Sequence, residues 1–346
     1  MDKFALQREY NPNEQAEVRF SPEALPNRLS RTGSVRASAV RVKGRESYRL
    51  YRTFIERINE VFLKISEGIP LDRKPINATA TELLQSLRTH REQFVGFVLG
   101  GGVRGYEMAK SAVNIAILSA LTAQEIRLPS HRVLYAVIGA FLHDSGMFQL
   151  PVEILEKKGE LTAEERKLVQ KHPLLSRKIA VIGLSYPGEV GEIVVQHHER
   201  WDGKGYPYRA SGNAISVGAR IVSVADSFEA MVSPKPYRSS IVGYQANKNL
   251  LADNSHRFDP NILKAFILTL GVYPIGSFVR LNNGIVARIS EVRATTPLRP
   301  KVQILTDETG SAKSGETVFV DLQTEKGLFI LKALDAKEIG ELNVGG

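Results

Sequence analysis

Residues 197–207 read HHERWDGKGYP: two adjacent histidines, a carboxylate directly after them, and a Gly-rich turn ending in Tyr206-Pro207. Packing alone does not explain this stretch. Neighbouring side chains on a helix point about 100° apart, so one apolar face cannot use both His197 and His198. Neutral imidazole is a ligand for divalent transition metals, and glycine lets a backbone approach a ligand closely or take a positive φ. The segment therefore reads as a metal-and-phosphate site. The chain has seven histidines. Four of them, His143, His172, His197 and His198, fall in segments that read as buried or loop-bound.

Working outward, the flanking sequence carries HDSG at 143–146, KHP at 171–173, ADSFEAM at 225–231 and PYR at 236–238. In this order and at these spacings the motifs resemble an HD-GYP domain over roughly residues 100–270. The HHExxDGxGYP segment carries most of the specificity, because an HD dipeptide is common by chance. The resemblance implies an all-helical, metal-dependent phosphodiesterase domain acting on the bacterial second messenger cyclic di-GMP or a related nucleotide. It also implies that His143 and Asp144 are the catalytic pair and metal ligands, Asp144 bridging two metals. His172, His197, His198 and Asp226 are the further ligands it implies. Gly205, Tyr206, Lys235 and Arg238 are the implied substrate-binding positions. The cofactor would be a divalent transition metal, binuclear where the ligand set is complete, with iron or manganese first and zinc or nickel also compatible with His and carboxylate ligands.

Two positions depart from that family's pattern. Ser111, in SAVNIAI at 111–117, stands where the family carries its first metal histidine. Met147 stands where it carries a phosphate-binding lysine. Lys235 for the arginine before PYR is a milder change. Glu107, one turn before Ser111 at i, i+4, matches an acidic position that binds an extra metal in some members, and it is expected to reach the vacated place. Six ligand positions stay intact, so two functions remain open: an enzyme of reduced activity, or a degenerate member that binds metal or nucleotide and signals through protein partners. A nucleotidase or metal phosphatase of the wider HD type is a third reading, set back by the intact Gly-Tyr-Pro loop.

Local evidence weighs differently from site to site. His143 and Asp144 at a helix end, taken alone, would be a dipole partner and a turn cap, and His172 before Pro173 would be a surface residue at a kink. Asp226 lies among Val222, Val224, Ala225 and Phe228. A carboxylate there costs several kcal/mol, roughly, unless it is paired or binds a metal. Glu199 is expected behind the ligands or exposed.

The 346 residues leave room for two or three domains, and a hydrophobic share of 43% supports a globular core. No apolar run approaches membrane-spanning length; the longest, Tyr135–Leu142, covers about two helical turns. The first ten residues do not read as a signal peptide, and the absence of cysteine excludes disulfides and thiolate chemistry. A cytoplasmic setting without a membrane partner is the expectation. The net charge of +9 is concentrated at residues 28–52, where Arg28, Arg31, Arg36, Arg41, Lys43, Arg45, Arg49 and Arg52 face one acid, Glu46. No aromatic residue interleaves them before Tyr48, so a solvated face is favoured over a nucleic-acid surface.

The expected fold class is mainly α: an HD-GYP-type helical bundle, a small N-terminal α/β region and a C-terminal β module. The first region, 1–75, would hold a βαβ unit over 15–43, with strands at 16–20 and 35–42 around a helix started by Ser21-Pro22 and stopped at Gly33. A helix over 45–66 follows. The metal domain, 76–271, would open with a helix over 78–98 and a Gly-rich hinge at 100–102. A buried helix over 131–143 would be closed by a left-handed Gly146. A capping box at Thr162–Glu165, a helix end at 193–198 and an amphipathic helix over 217–232 complete it. The β module, 272–346, would carry a hairpin at Asn282-Asn283-Gly284 and strands at 301–305 and 317–322.

Overall fold

Tyr51, Phe54, Ile55, Ile58, Val61, Phe62 and Ile65 recur at three- and four-residue spacing, and all are buried along the 36-residue helix α1 (Arg31–Ser66). This computed structural model describes residues 31–100, 106–155, 157, 159–233, 243–252, 256–293, 295–308, 310–311, 317–334 and 338, with backbone only for 31–45 and Gly100. The strand expected at 35–42 and the stop expected at Gly33 are both overturned, since α1 runs through them. The short alternation there is made of Ala, Arg, Ser and Val, and alanine and arginine favour a helix. Residues 15–30 of the expected βαβ unit, and Gly101-Gly102 of the expected hinge, lie outside the described residues.

The helical body continues with α2 (Lys74–Gly100), kinked at His90, then α3 (Glu107–Glu125) and α4 (Ser130–Leu142). After a 3-10 turn at Ser145–Gln149 come α5 (Val152–Leu155) and α6 (Ala163–Val169). The capping box opens α6: Thr162 Oγ1 accepts from Glu165 N at 3.2 Å, and Glu165 Oε2 accepts from Thr162 N at 2.7 Å. Next are α7 (His172–Lys178), prolonged by a π turn at Ile179–Gly183, and α8 (Gly188–Gln196). The last three are α9 (Val217–Val232), α10 (Gly243–Ala252) and α11 (Pro260–Leu270).

One buried core runs from Tyr51 to Leu270. The second half of α1 therefore belongs to the helical body, with Phe54 stacked near Phe94 of α2 at 6.1 Å. Phe54, Phe94, Phe141, Phe228 and Phe266 are fully buried, and each contributes roughly 1.5–3 kcal/mol of burial. Close approach of α8 to α4 and α9 sets the site. A Cβ on Gly218 would lie 2.5 Å from Ile193 Cδ1, and one on Gly139 would strike the same side chain.

The C-terminal module has strands β1 (Phe278–Leu281), β2 (Val286–Glu291), β3 (Lys301–Ile304), β4 (Phe319–Asp321) and β5 (Ile330–Ala333). They form an antiparallel sheet in the order β4-β3-β2-β1-β5. The expected hairpin joins β1 to β2, with Gly284 at φ 88°. β5 had no sequence signal: it is four residues with no alternation of buried and exposed positions. Val279, Leu281, Ala287, Ile289, Val302, Ile304 and Leu322 form a second core. Val292 packs on Gly271 at the junction, and Tyr244 stacks on Tyr273 at 5.3 Å. No helix among the described residues is long and apolar enough to cross a membrane.

Candidate metal centre

Three helix ends and one helix face deliver the predicted side chains. His143 and Asp144 follow α4, His172 opens α7, His197 and His198 leave α8, and Asp226 lies on α9. Carbonyls at a helix C-terminus lack intrahelical donors, and three imidazoles use them. Nδ1 of His143 meets Ala140 O at 2.8 Å, Nδ1 of His172 meets Val169 O at 2.8 Å, and Nδ1 of His197 meets Val194 O at 2.7 Å. A carbonyl only accepts, so each Nδ1 carries a proton, and in the neutral ring the lone pair is left on Nε2.

Those nitrogens converge on Asp144. Its Oδ1 lies 3.1 Å from His172 Nε2 and 3.6 Å from His197 Nε2, and its Oδ2 lies 3.4 Å from His143 Nε2. The Nε2 atoms of His172 and His197 face each other at 3.4 Å. The His143 Nε2 is buried without a hydrogen-bond partner. One ligand atom from each of Asp144, His172, His197 and His198 fits within 4.8 Å of the others. Inward lone pairs, an orphaned buried nitrogen and a shared carboxylate are the donor set of a divalent cation. His143, His172 and His197 are almost fully buried, whereas the Asp144 side chain is 38% exposed, so the centre opens on its Asp144 side.

The electrostatics follow from burial and mutual contact. Burial presses His143 toward neutrality, yet the charge and contact of Asp144, with Asp226 and the Ala140 carbonyl, outweigh it and push the group up to about 9. Burial, with the neighbouring imidazoles His143 and His172, takes His197 down to about 4. Burial and His197 hold His198 well below its usual value. Burial alone would raise Asp144, but His143, His172 and His197 hold it well below the carboxylate range. Burial, Asp144 and Glu229 push Asp226 up, with His143 acting in the opposite sense. Asp226 thus lies within electrostatic reach of His143 and Asp144, though outside the four-residue group.

The HD turn and the Gly-Tyr-Pro loop are fixed by close backbone approach. Gly146 does not adopt the expected left-handed cap. Its hydrogen faces α7, where a Cβ would strike the His172 carbonyl and lie 2.6 Å from Ser176 N. Its N–H donates to Ser176 Oγ at 2.7 Å, which draws Asp144 against His172. In the loop, Gly203 takes φ 75°. A Cβ on Gly205 would lie 2.5 Å from Glu199 Cα, Arg200 N and His198 O. Tyr206 N donates to His198 O at 3.3 Å, and the Tyr206 ring lies 4.7 Å from that of His198. Glu199 is buried, and its Oε1 accepts from Tyr208 N at 2.6 Å, so it clamps the loop from behind.

At position 111, where the resemblance implies a ligand, the serine is already engaged. Ser111 Oγ donates to Glu229 Oε2 at 2.7 Å. Asn114 Nδ2 and Ser233 Oγ donate to Glu229 Oε1 at 3.2 and 2.5 Å, and Tyr51 donates from behind to Asn114 Oδ1 at 2.7 Å. Glu229 is 1% exposed. Glu107 does not extend toward Ser111 as expected; its carboxylate pairs with Lys110 at 2.8 Å and is not among the four gathered ligands. Lys235 and Arg238 lie outside the described residues. Sequence reasoning missed Glu229, although its i+3 spacing from Asp226 places it on the same helix face.

The architecture agrees with known proteins. Residues 103–262 match the HD domain family, and residues 278–342 match a KOW domain associated with HD domains. The chain is 30% identical over 237 residues to a cyclic di-GMP phosphodiesterase of Pseudomonas aeruginosa, covering 68% of this chain and 57% of that protein. It is 29% identical over 194 residues to the cyclic di-GMP phosphodiesterase PdeB of Borreliella burgdorferi, covering 56% of this chain and 51% of that one. Among solved structures, an HDG"Y"P protein from Bdellovibrio bacteriovorus superposes with a TM-score of 0.50 at 16% identity, over 63% of this chain and 69% of that one. The middle of the chain thus matches the HD domain family, and its curated relatives are cyclic di-GMP phosphodiesterases. The match spans little more than half the length of either curated relative.

Proposed function

We propose that this chain is a metal-dependent phosphodiesterase of the HD-GYP type, hydrolysing cyclic di-GMP or a related cyclic dinucleotide at reduced activity. The observation that carries the proposal is the convergence of Asp144, His172, His197 and His198 within 4.8 Å, with the imidazoles of His172 and His197 fixed through Nδ1. These four residues would hold the tighter ion. His143 and Asp226, beside Asp144, would serve a second position weakened by serine at 111. A bound divalent ion, iron or manganese first, supplies Lewis acidity toward phosphorus and an activated water.

The side chains do the rest. Asp144 and the neutral His197 and His198 already hold the protonation states that ligands need at neutral pH, and His143 has a proton to lose. The buried histidines exclude water from the inner side, so substrate approaches past Asp144. Tyr206, lying against His198, offers a ring face to a base.

A second reading, a receptor that binds metal or nucleotide and signals through protein partners, is favoured by one observation. The Ser111–Glu229 bond replaces an imidazole at the vacated position. Elemental analysis of purified protein, with cyclic di-GMP hydrolysis measured under added manganese or iron, tests both. Retained metal with a linear dinucleotide product supports the enzyme; tight nucleotide binding without turnover at saturating metal supports the receptor.

A further inference from the structure

Where the resemblance implies a phosphate-binding lysine, Met147 carries no charge, Lys204 sits exposed on its loop, and Lys235 and Arg238 lie outside the described residues. A cyclic dinucleotide carries two phosphodiester anions, and attack adds charge at one of them. Among the described residues, Arg257 joins α9 to the Gly-Tyr-Pro segment. Its guanidinium donates from Nη2 to Ser227 Oγ at 3.2 Å, directly beside Asp226 on α9. Its carbonyl accepts from Trp201 N at 2.9 Å, which ties the same residue to the Gly-Tyr-Pro loop. Its guanidinium packs over Phe258 at 5.1 Å, and Phe258 is buried. Asp259, the next residue, caps α11 and pairs with Arg220 at 2.8 Å. The perch is therefore rigid.

We propose that Arg257 is a phosphate-binding residue of this site, holding a non-bridging oxygen of the phosphodiester beside the metal ligands. A planar guanidinium matches phosphate oxygens in a way an ammonium does not, and a preorganised one loses little freedom when substrate binds. The inference rests on the reading of the centre as a phosphodiester site.

The test compares the full chain with Arg257→Ala and Arg257→Lys, each loaded with manganese. Inorganic phosphate is the probe, titrated by calorimetry, with metal content and cyclic di-GMP turnover measured in parallel. The expected result is phosphate affinity weakened on the order of tenfold or more in Arg257→Ala, partly restored in Arg257→Lys, with manganese content unchanged in both. Phosphate binding equal in parent and Arg257→Ala overturns the proposal, as does absence of phosphate binding in the parent. Loss of manganese from Arg257→Ala would make the residue structural and also overturns it. Phosphate binding that depends on Arg257 in a parent without turnover leaves this inference standing and removes only the enzyme reading.

Discussion

Replacing Glu229 by alanine removes the acceptor shared by three donors: Ser111 Oγ, Asn114 Nδ2 and Ser233 Oγ. A buried donor left without a partner costs about 1–3 kcal/mol. Asn114 and Ser233 are buried and stand toward the upper part of that range; Ser111 is half-buried and stands toward the lower. The gross loss is roughly 5–7 kcal/mol by that principle, offset in part because a carboxylate no longer has to be desolvated. The net expectation is a destabilisation of about 2–4 kcal/mol. Glu229→Gln keeps one carbonyl oxygen and the side-chain shape, and should lose about half as much. Urea unfolding of the metal-free protein reads both values. A double-mutant cycle with Ser111→Ala should return a coupling of about 0.5–3 kcal/mol. A loss under about 1 kcal/mol in Glu229→Ala, with no coupling to Ser111, would refute the view that this carboxylate organises the vacated position.

Gly205→Ala should cost about 1–3 kcal/mol and weaken metal retention, because the new methyl would meet backbone atoms of His198, Glu199 and Arg200; wild-type thermal stability and metal content in this variant would contradict the packing argument. Metal-free protein should be most stable near the ordinary histidine value of about 6.5. Below it, down to about 4, the unfolded chain binds a proton at His197 that the native state refuses, so stability falls as pH drops. Above it, up to about 9, the native state keeps a proton on His143 that the unfolded chain has lost, so stability falls as pH rises. Unfolding free energies that climb steadily from pH 5 to 9 would contradict the His143 shift, and ones that fall steadily over that range would contradict the His197 shift.

The helical body was legible because its signals are local and redundant. Seven apolar residues at helical spacing announce the second half of α1, and Thr162 with Glu165 marks the start of α6. Residues 31–43 were misread because a short alternation of alanine, arginine and valine suits either period, and the buried half of the same helix settles the matter from downstream. β5 was invisible because an edge strand of four residues, with no buried alternation, draws its stability from pairing with β1 rather than from its own pattern.

The candidate site divides along the same line. His197 and His198 were conspicuous because adjacency is costly to explain by packing, and both leave α8 where a helix end points its last side chains into the body. What the sequence withheld was the identity of the acid that meets Ser111. Spacing on one helix ranks neighbours within that helix, and it offered Glu107 at i, i+4. It says nothing of a carboxylate delivered from another helix more than a hundred residues away. Glu107 has a closer outlet in Lys110 at i+3 and a half-exposed position in which the ion pair keeps its hydration. Glu229 has no water to turn to. Its burial compels it to collect donors, and the hydroxyl at 111 is one of the few within reach. The hydroxyl at 111 is thus bound by a buried carboxylate from another helix, which spacing along α3 alone cannot rank.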